Sequence, residues 1–190
     1  MGGVYLDYQL KIAGLTRSLT IYPITEEIGI AAFILFGDVE LTCACAEKLL
    51  EKAPEYDFLL TAEAKGIPLV YEMARQSGKP YLVARKSKKL YMGEAFSAAV
   101  KSISTAARQT LLLDRKDAEA MRGKRILIVD DVISTGESLL ALETLAEQAG
   151  GVTAARMAVL AEGKASLRED IIYLEKLPLF NSKGDEPYVI

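Results

Sequence analysis

The chain is predicted to be an α/β domain built on a doubly wound, mainly parallel sheet, and three observations carry that expectation. Apolar runs of strand length alternate with amphipathic stretches of helix length, the pattern of βαβ units. The run Ile126–Val129 is apolar without polar alternation, as a strand covered on both faces should be. It leads through the acid pair Asp130 and Asp131 to a small-residue turn, Ser134-Thr135-Gly136, beyond which Leu139, Leu140, Leu142, Leu145 and Ala149 follow helical spacing. With 190 residues and 51% hydrophobic content, the chain suits one domain with a sizeable core.

The elements follow in order. Leu19 to Ile24 and Ile28 to Phe36 read as strands joined at Thr25–Glu27, and Asp38 to Lys52 as a helix. Phe58 to Thr61 is a short buried strand, Gly66 to Ser77 a helix with Pro68 in its first turn, and Tyr81 to Arg85 a strand. Alternation at Phe96, Ala98, Val100, Ser102 and Ser104 predicts an exposed β-ribbon. Arg125 to Asp130 is the central strand and Glu137 to Gln148 its helix, closed by Gly150 and Gly151; Val152 to Leu160 is a further strand.

Composition excludes several classes of function. Net charge is −3, from 23 basic and 26 acidic residues, so no global field attracts nucleic acid. The longest apolar stretch, Ile28 to Phe36, is far shorter than the roughly 20 residues that cross a bilayer, and no signal-peptide pattern opens the chain. A soluble, cytoplasmic protein is expected. Histidine is absent, which removes imidazole bases and Ser-His-Asp arrangements and leaves Cys43 and Cys45 without partners for a zinc site. Both thiols read as buried and inert.

Chemistry gathers where the central strand ends. A helix N-terminus behind Ser134-Thr135-Gly136 offers unpaired N–H groups and two hydroxyls to an anion, with Glu137 in the first turn suiting the helix dipole. The loop is neither a G-x-x-x-x-G-K-[ST] nor a G-x-G-x-x-G turn. Two carboxylates beside an anion site fit a ligand that presents sugar hydroxyls next to a phosphate, such as a phosphorylated ribose. A second helix N-terminus follows the strand Phe58 to Thr61, at Glu63-Ala64-Lys65-Gly66, and a basic cluster, Arg85, Lys86, Lys88 and Lys89, follows the next strand.

The stretch from Val129 to Ser138, V-D-D-V-I-S-T-G-E-S, resembles the binding signature of the type I phosphoribosyltransferases, which use 5-phosphoribosyl-1-pyrophosphate (PRPP). Glu63 to Gly66 is similar to the E-A-[RS]-G pyrophosphate loop of the adenine and xanthine enzymes, and Arg85 to Leu90 resembles their A-R-K-x-x-K-x-L segment. The resemblance implies that Asp130 and Asp131 hold the ribose hydroxyls and that Val132, Ile133, Ser134, Thr135, Gly136, Glu137 and Ser138 bind substrate around the 5′-phosphate. It implies a pyrophosphate site formed by Glu63, Ala64, Lys65, Gly66, Arg85, Lys86, Lys88 and Lys89, with Asp130, Asp131, Lys65 and Arg85 as the catalytic set. A non-proline cis peptide is expected at Ala62–Glu63 or a neighbouring bond.

The same resemblance implies one phosphoribosyltransferase domain over 1–190, with a small hood from about 1–30 and 175–190 and a flexible loop at about 88–108. Magnesium is implied as cofactor, bound with PRPP or pyrophosphate; no site made of protein alone is expected, and Asp130 or Asp131 would meet the ion through PRPP. Transfer to a free purine, adenine first and xanthine next, would give a nucleoside monophosphate and pyrophosphate in purine salvage. The loop around Ser97–Ser102 lacks the S-x-x-Y-x-L-E-Y-G pattern of the adenine enzymes and looks closer to the xanthine branch. The base pocket is sought at Thr20–Thr25 and Leu177–Asn181, where Tyr22 and Phe180 either stack on a purine or pack under a loop. The expected partners are PRPP, a purine and a second copy of the chain; the alternative is a regulatory protein of the same fold that senses PRPP or a purine.

Overall fold

The computed structural model describes residues 6–90, 92–93, 95–100, 109–181 and 187–188. A five-stranded parallel sheet forms its centre, ordered β10(Ile172–Leu177), β9(Val152–Glu162), β8(Arg125–Ile133), β4(Phe58–Ala62) and β5(Tyr81–Ala84). From β4 the chain winds outward to β5, and from β8 it winds the other way through β9 and β10. The order reverses between β4 and β8, the place where open parallel sheets bind ligands.

Side-chain parity along β8 builds a core on each face. Leu127 and Val129 pack with α1(Val39–Leu50) and α2(Ile67–Ser77) through Leu41, Cys45, Leu49, Leu69 and Met73. On the other face, Ile126 and Ile128 meet α3(Arg115–Met121) and α4(Glu137–Gln148) through Met121, Leu139, Leu142 and Leu145. Both faces of the sheet are therefore dry, which is why its strands read as continuous apolar runs. The helix ends obey local chemistry: the Asp38 carboxylate accepts the Leu41 N–H at 3.1 Å to cap α1, and Gly78, with φ +69°, closes α2.

A second, antiparallel sheet carries the strands ordered β1(Asp7–Ile12), β2(Leu15–Pro23), β3(Ile28–Ala31), β11(Leu179–Asn181) and β12(Pro187–Tyr188). Its segments are those expected to form a hood, although 1–5, 182–186 and 189–190 lie outside the described residues. The sheet buries Leu10, Ile12, Leu19, Ile21 and Phe180 in the same core as α1 and α2. Strand β1 has no counterpart in the sequence reading. It pairs with β2 through a tight turn with positive φ at both Ala13 (+50°) and Gly14 (+79°), the twist a two-residue hairpin requires.

The expected strand from Ile28 to Phe36 is corrected to four residues. Alternation continues beyond Ala31, with Phe33 and Leu35 at 3% and 2% exposure and Ile34 and Phe36 at 51% and 54%. Among the described residues no strand ladder continues past the Ala32 N–H bond to the Thr20 carbonyl at 2.9 Å, so the stretch packs like a strand without being one. The expected ribbon is the pair β6(Ala95–Val100) and β7(Gln109–Asp114), anchored to β5 by reciprocal Arg85 and Leu112 backbone bonds of 2.7 and 2.8 Å. It is not exposed on both sides, because Ala98, Leu111 and Leu113 join the α4 core. Residues 91, 94 and 101–108, with Ser102 and Ser104, lie outside the described residues.

Cys45 is buried, and burial pushes its thiol up to about 12, whereas Cys43 is only half-buried, a correction to the expectation of two buried thiols. The Cys43 thiol is also raised, by burial first and then by the Glu72 carboxylate. Because the thiolate is the reactive species, a thiol-specific reagent at neutral pH is expected to leave Cys45 unlabelled in the native protein and to label both thiols in denaturant. Rapid native labelling of Cys45 would contradict its position.

Candidate functional site

Strands β4 and β8 stay in register only from Phe58↔Ile126 to Leu60↔Ile128. Beyond that the pairing ends, at the topological switch point where open parallel sheets form a ligand crevice, here between the loop after β4 and the loop after β8. Strand β8 runs on to Ile133, still paired with β9 at Asp130↔Ala158 and Ile133↔Ala161. The acid pair and Val132 thus lie within the strand and not after its end at Asp130, a correction with a consequence. Asp130 and Asp131 are thereby held by the sheet itself, with their carboxyl groups close enough to interact with one another.

Asp131 is 4% exposed, and its Oδ2 has no hydrogen-bond partner among the described residues; Asp130 is half-buried, and its Oδ1 accepts the Asp131 N–H at 2.9 Å. Burial raises both carboxyls above the ordinary range, that of Asp130 further because the neighbouring acid adds to it. Lys65, exposed after β4, opposes the rise in both. A third carboxyl, Glu162 at the end of β9, is also raised by burial and feels the Lys65 charge. Three acids therefore share one cation above the crevice, and Glu162 was not among the residues expected from sequence.

The loop Glu63–Gly66 contains a cis peptide at Glu63–Ala64, the neighbouring bond within the expectation. Gly66 caps α2, and its position is tight: a Cβ there would overlap Thr61 Oγ1 and stand 3.3 Å from Asp130 Oδ1. The loop and the acid pair are thus brought together. Thr61, at 0% exposure with its hydroxyl unpartnered among the described residues, is the second residue that the sequence did not signal.

The Glu63 side chain is turned to the basic cluster that follows β5. Its carboxylate accepts the Lys86 N–H at 3.0 Å and pairs with Arg85 at 3.5 Å and Lys89 at 4.0 Å. The Lys86 N–H, with the two cations behind it, holds that carboxyl below its usual range. Glu63 therefore gathers the basic cluster; the side chains of Lys86 and Lys88 are exposed, and Ala64 is exposed on the loop.

Beyond β8, Asp130, Val132 and the loop Ile133–Leu139 line a recess of about 50 Å³, roomier than one water needs. Gly136 takes φ +79° at the start of α4, where no side chain caps the first N–H groups. Ser134, Thr135 and Ser138 are exposed there, and Glu137 occupies the first turn. Of the aromatics considered for a base, Phe180 is buried against Tyr8 with ring centroids 5.2 Å apart, so it belongs to the core, whereas Tyr22 is exposed.

Among the described residues no three potential metal ligands cluster, and no helix is long and apolar enough to cross a membrane. The donor set suits magnesium held mostly by phosphate and water, with one or two carboxylates, and Asp130 with the unpartnered Oδ2 of Asp131 could supply them.

Comparison with known proteins gives the family and the fold. The profile of the phosphoribosyl transferase domain matches residues 42–184. A hypoxanthine/guanine phosphoribosyltransferase of Methanothermococcus okinawensis is 30% identical over 170 residues, covering 86% of each chain. An orotate phosphoribosyltransferase of Methanopyrus kandleri is 34% identical over 111 residues, 57% of this chain and 49% of that one. Among solved structures, adenine phosphoribosyltransferase from Thermoanaerobacter pseudethanolicus superposes with a TM-score of 0.64 at 25% identity, covering 75% of this chain and 84% of that one. The Saccharomyces cerevisiae adenine enzyme reaches a TM-score of 0.66 at 24% identity over 82% of this chain and 93% of its own, a likeness of fold.

Proposed function

Because this chain belongs to the phosphoribosyl transferase family and is a transferase, we propose that it moves the 5-phosphoribosyl group of PRPP to a free purine, as one domain. The observation that carries the reading is the meeting of two helix N-termini and an acid pair at the β4/β8 crevice, with Gly66 against Asp130. One loop suits each end of a ligand that is anionic at both ends. A 6-oxopurine is the first acceptor, on the names of sequence relatives that span most of the chain; adenine is the second, on the solved structures.

In this reading the Ser134–Ser138 loop holds the 5′-phosphate by backbone N–H and hydroxyl groups. Asp130 and Asp131 accept hydrogen bonds from the ribose hydroxyls and balance positive charge growing at C1′. Arg85, Lys86 and Lys89 stand where negative charge develops as the C1′–O bond breaks and pyrophosphate leaves, with Lys88 at the outer edge. Glu63 keeps those cations together until the anion arrives. A ring nitrogen of the purine then bonds to C1′. Magnesium, bound with PRPP at Asp130 or Asp131, would neutralise pyrophosphate charge. Positioning supplies most of the acceleration, which suits a chain without histidine.

The Arg85 pairing leads to a binding prediction. Arg85→Ala is expected to weaken magnesium pyrophosphate about tenfold or more by calorimetry, since a charge-assisted hydrogen bond to an anion is worth roughly 1.5–3 kcal/mol. Unchanged affinity would remove Arg85 from the site.

Incubating the protein with PRPP, magnesium and, separately, hypoxanthine, guanine, xanthine, adenine and orotate tests the activity. Pyrophosphate release with a purine and formation of its nucleoside monophosphate are expected. Release with orotate alone would overturn the purine assignment, and silence with every base would favour a regulatory protein.

A further inference from the structure

Beside the Ser134–Ser138 loop stands a cation that nothing above has used. Arg168 follows the short 3₁₀ turn Gly163–Leu167 after β9, and its guanidinium is clamped at one edge. Nε and Nη2 donate to the two carboxylate oxygens of Asp170 at 2.8 and 2.6 Å, a bidentate fork that fixes the plane of the group. Asp170 is in turn 4.0 Å from Nε of Arg156, which is ion-paired to Glu143 on α4. The clamp is thus tied to the helix whose first turn forms the loop.

The opposite edge of the guanidinium points at the loop. A Cβ built on Gly136 would lie 2.5 Å from Arg168 Nη1, so that nitrogen rests against the Gly136 backbone beside the recess. Among the described residues, Nη1 donates to no acceptor. A cation beside the N-terminus of a helix is also misplaced with respect to the helix dipole. Asp170 and Glu143 already face this cation, and an anion on the loop would give its unused edge a partner.

We propose that Arg168 is a further ligand of the 5′-phosphate, its free Nη1–H edge closing from beside Gly136 on an anion that the loop otherwise holds through backbone and hydroxyl groups. Asp170 is the positioning residue that aims it. The inference rests on the reading of this loop as the 5′-phosphate subsite. It also gives a reason for glycine at position 136 besides its positive φ, since any side chain would displace the guanidinium.

Calorimetric titration of wild type, Arg168→Ala and Arg168→Lys with ribose 5-phosphate, and in parallel with magnesium pyrophosphate, tests the assignment. Arg168→Ala is expected to bind ribose 5-phosphate about tenfold or more weakly, while magnesium pyrophosphate affinity and Tm stay near wild type. Arg168→Lys should recover part of the loss, since it restores the charge without the fork. Equal ribose 5-phosphate affinity in wild type and Arg168→Ala would overturn the proposal. So would equal weakening of both ligands with a lowered Tm, which would make Arg168 scaffolding. Failure of the wild type itself to bind ribose 5-phosphate would instead sink the phosphate reading of the loop, and the Arg168 assignment with it.

Discussion

Asp131→Asn is expected to lower PRPP-dependent turnover about tenfold or more, the cost of losing a charged acceptor for a ribose hydroxyl, while leaving Tm at or above that of wild type. The two halves of the prediction have one cause. Asp131 is buried, its Oδ2 meets no partner among the described residues, and burial raises its carboxyl. A carboxyl raised by folding holds its proton more tightly in the native than in the unfolded state. Its contribution therefore turns against the fold as pH rises past the unfolded carboxylate range. Asparagine removes that penalty and relieves Asp130, so the variant's stability relative to wild type should grow between about pH 4 and 7. Thermal melts across that range, together with steady-state rates, check both halves. Wild-type turnover in the variant would remove Asp131 from the site, and a large loss of Tm would make the residue structural.

Gly66→Ala is expected to be damaging in both stability and binding. The added methyl would overlap Thr61 Oγ1 and crowd Asp130 Oδ1 at 3.3 Å. Thr61 is fully buried on β4 and cannot swing out to solvent, so the α2 N-terminus must shift. Overpacking of this kind costs about 1–3 kcal/mol, and the shift would separate the pyrophosphate loop from the acid pair. The clash has a named partner, which makes it separable. In the double variant Gly66→Ala/Thr61→Ala the obstructing hydroxyl is gone, and a coupling of about 0.5 kcal/mol or more in favour of the pair is expected in denaturant melts. Strict additivity would show that the crowding lies elsewhere.

What the sequence made legible follows from which forces act locally. Ile126–Val129 could be read as a central strand because both its faces are dry, and Asp38 and Gly66 as helix starts because capping is a matter of a few consecutive residues. The acid pair, the glycine turn and the basic cluster share the same advantage. Strand β1 does carry a local signal, Tyr8, Leu10 and Ile12 alternating with Asp7, Gln9 and Lys11, and a ladder with β2 stands behind it. The stretch after Ala31 misled for the converse reason: burial alternates there without a ladder. Thr61, Glu162 and Arg168 were missed because each is brought to the crevice by tertiary placement: one behind Gly66, one near Lys65, one against Gly136. The pairing of Glu63 with Arg85 and Lys89 was likewise out of reach of the sequence, because these partners lie on a different strand end.

The central claim is that one ligand spans the crevice, with its 5′-phosphate on the loop after β8 and its pyrophosphate on the loop after β4. Phosphorus NMR of PRPP with magnesium, titrated with the protein in the absence of any base, reads both ends at once. The 5′-phosphate and the pyrophosphate resonances are expected to shift together along one saturation curve. A titration in which saturating protein moves only one of them, or neither, would contradict the account.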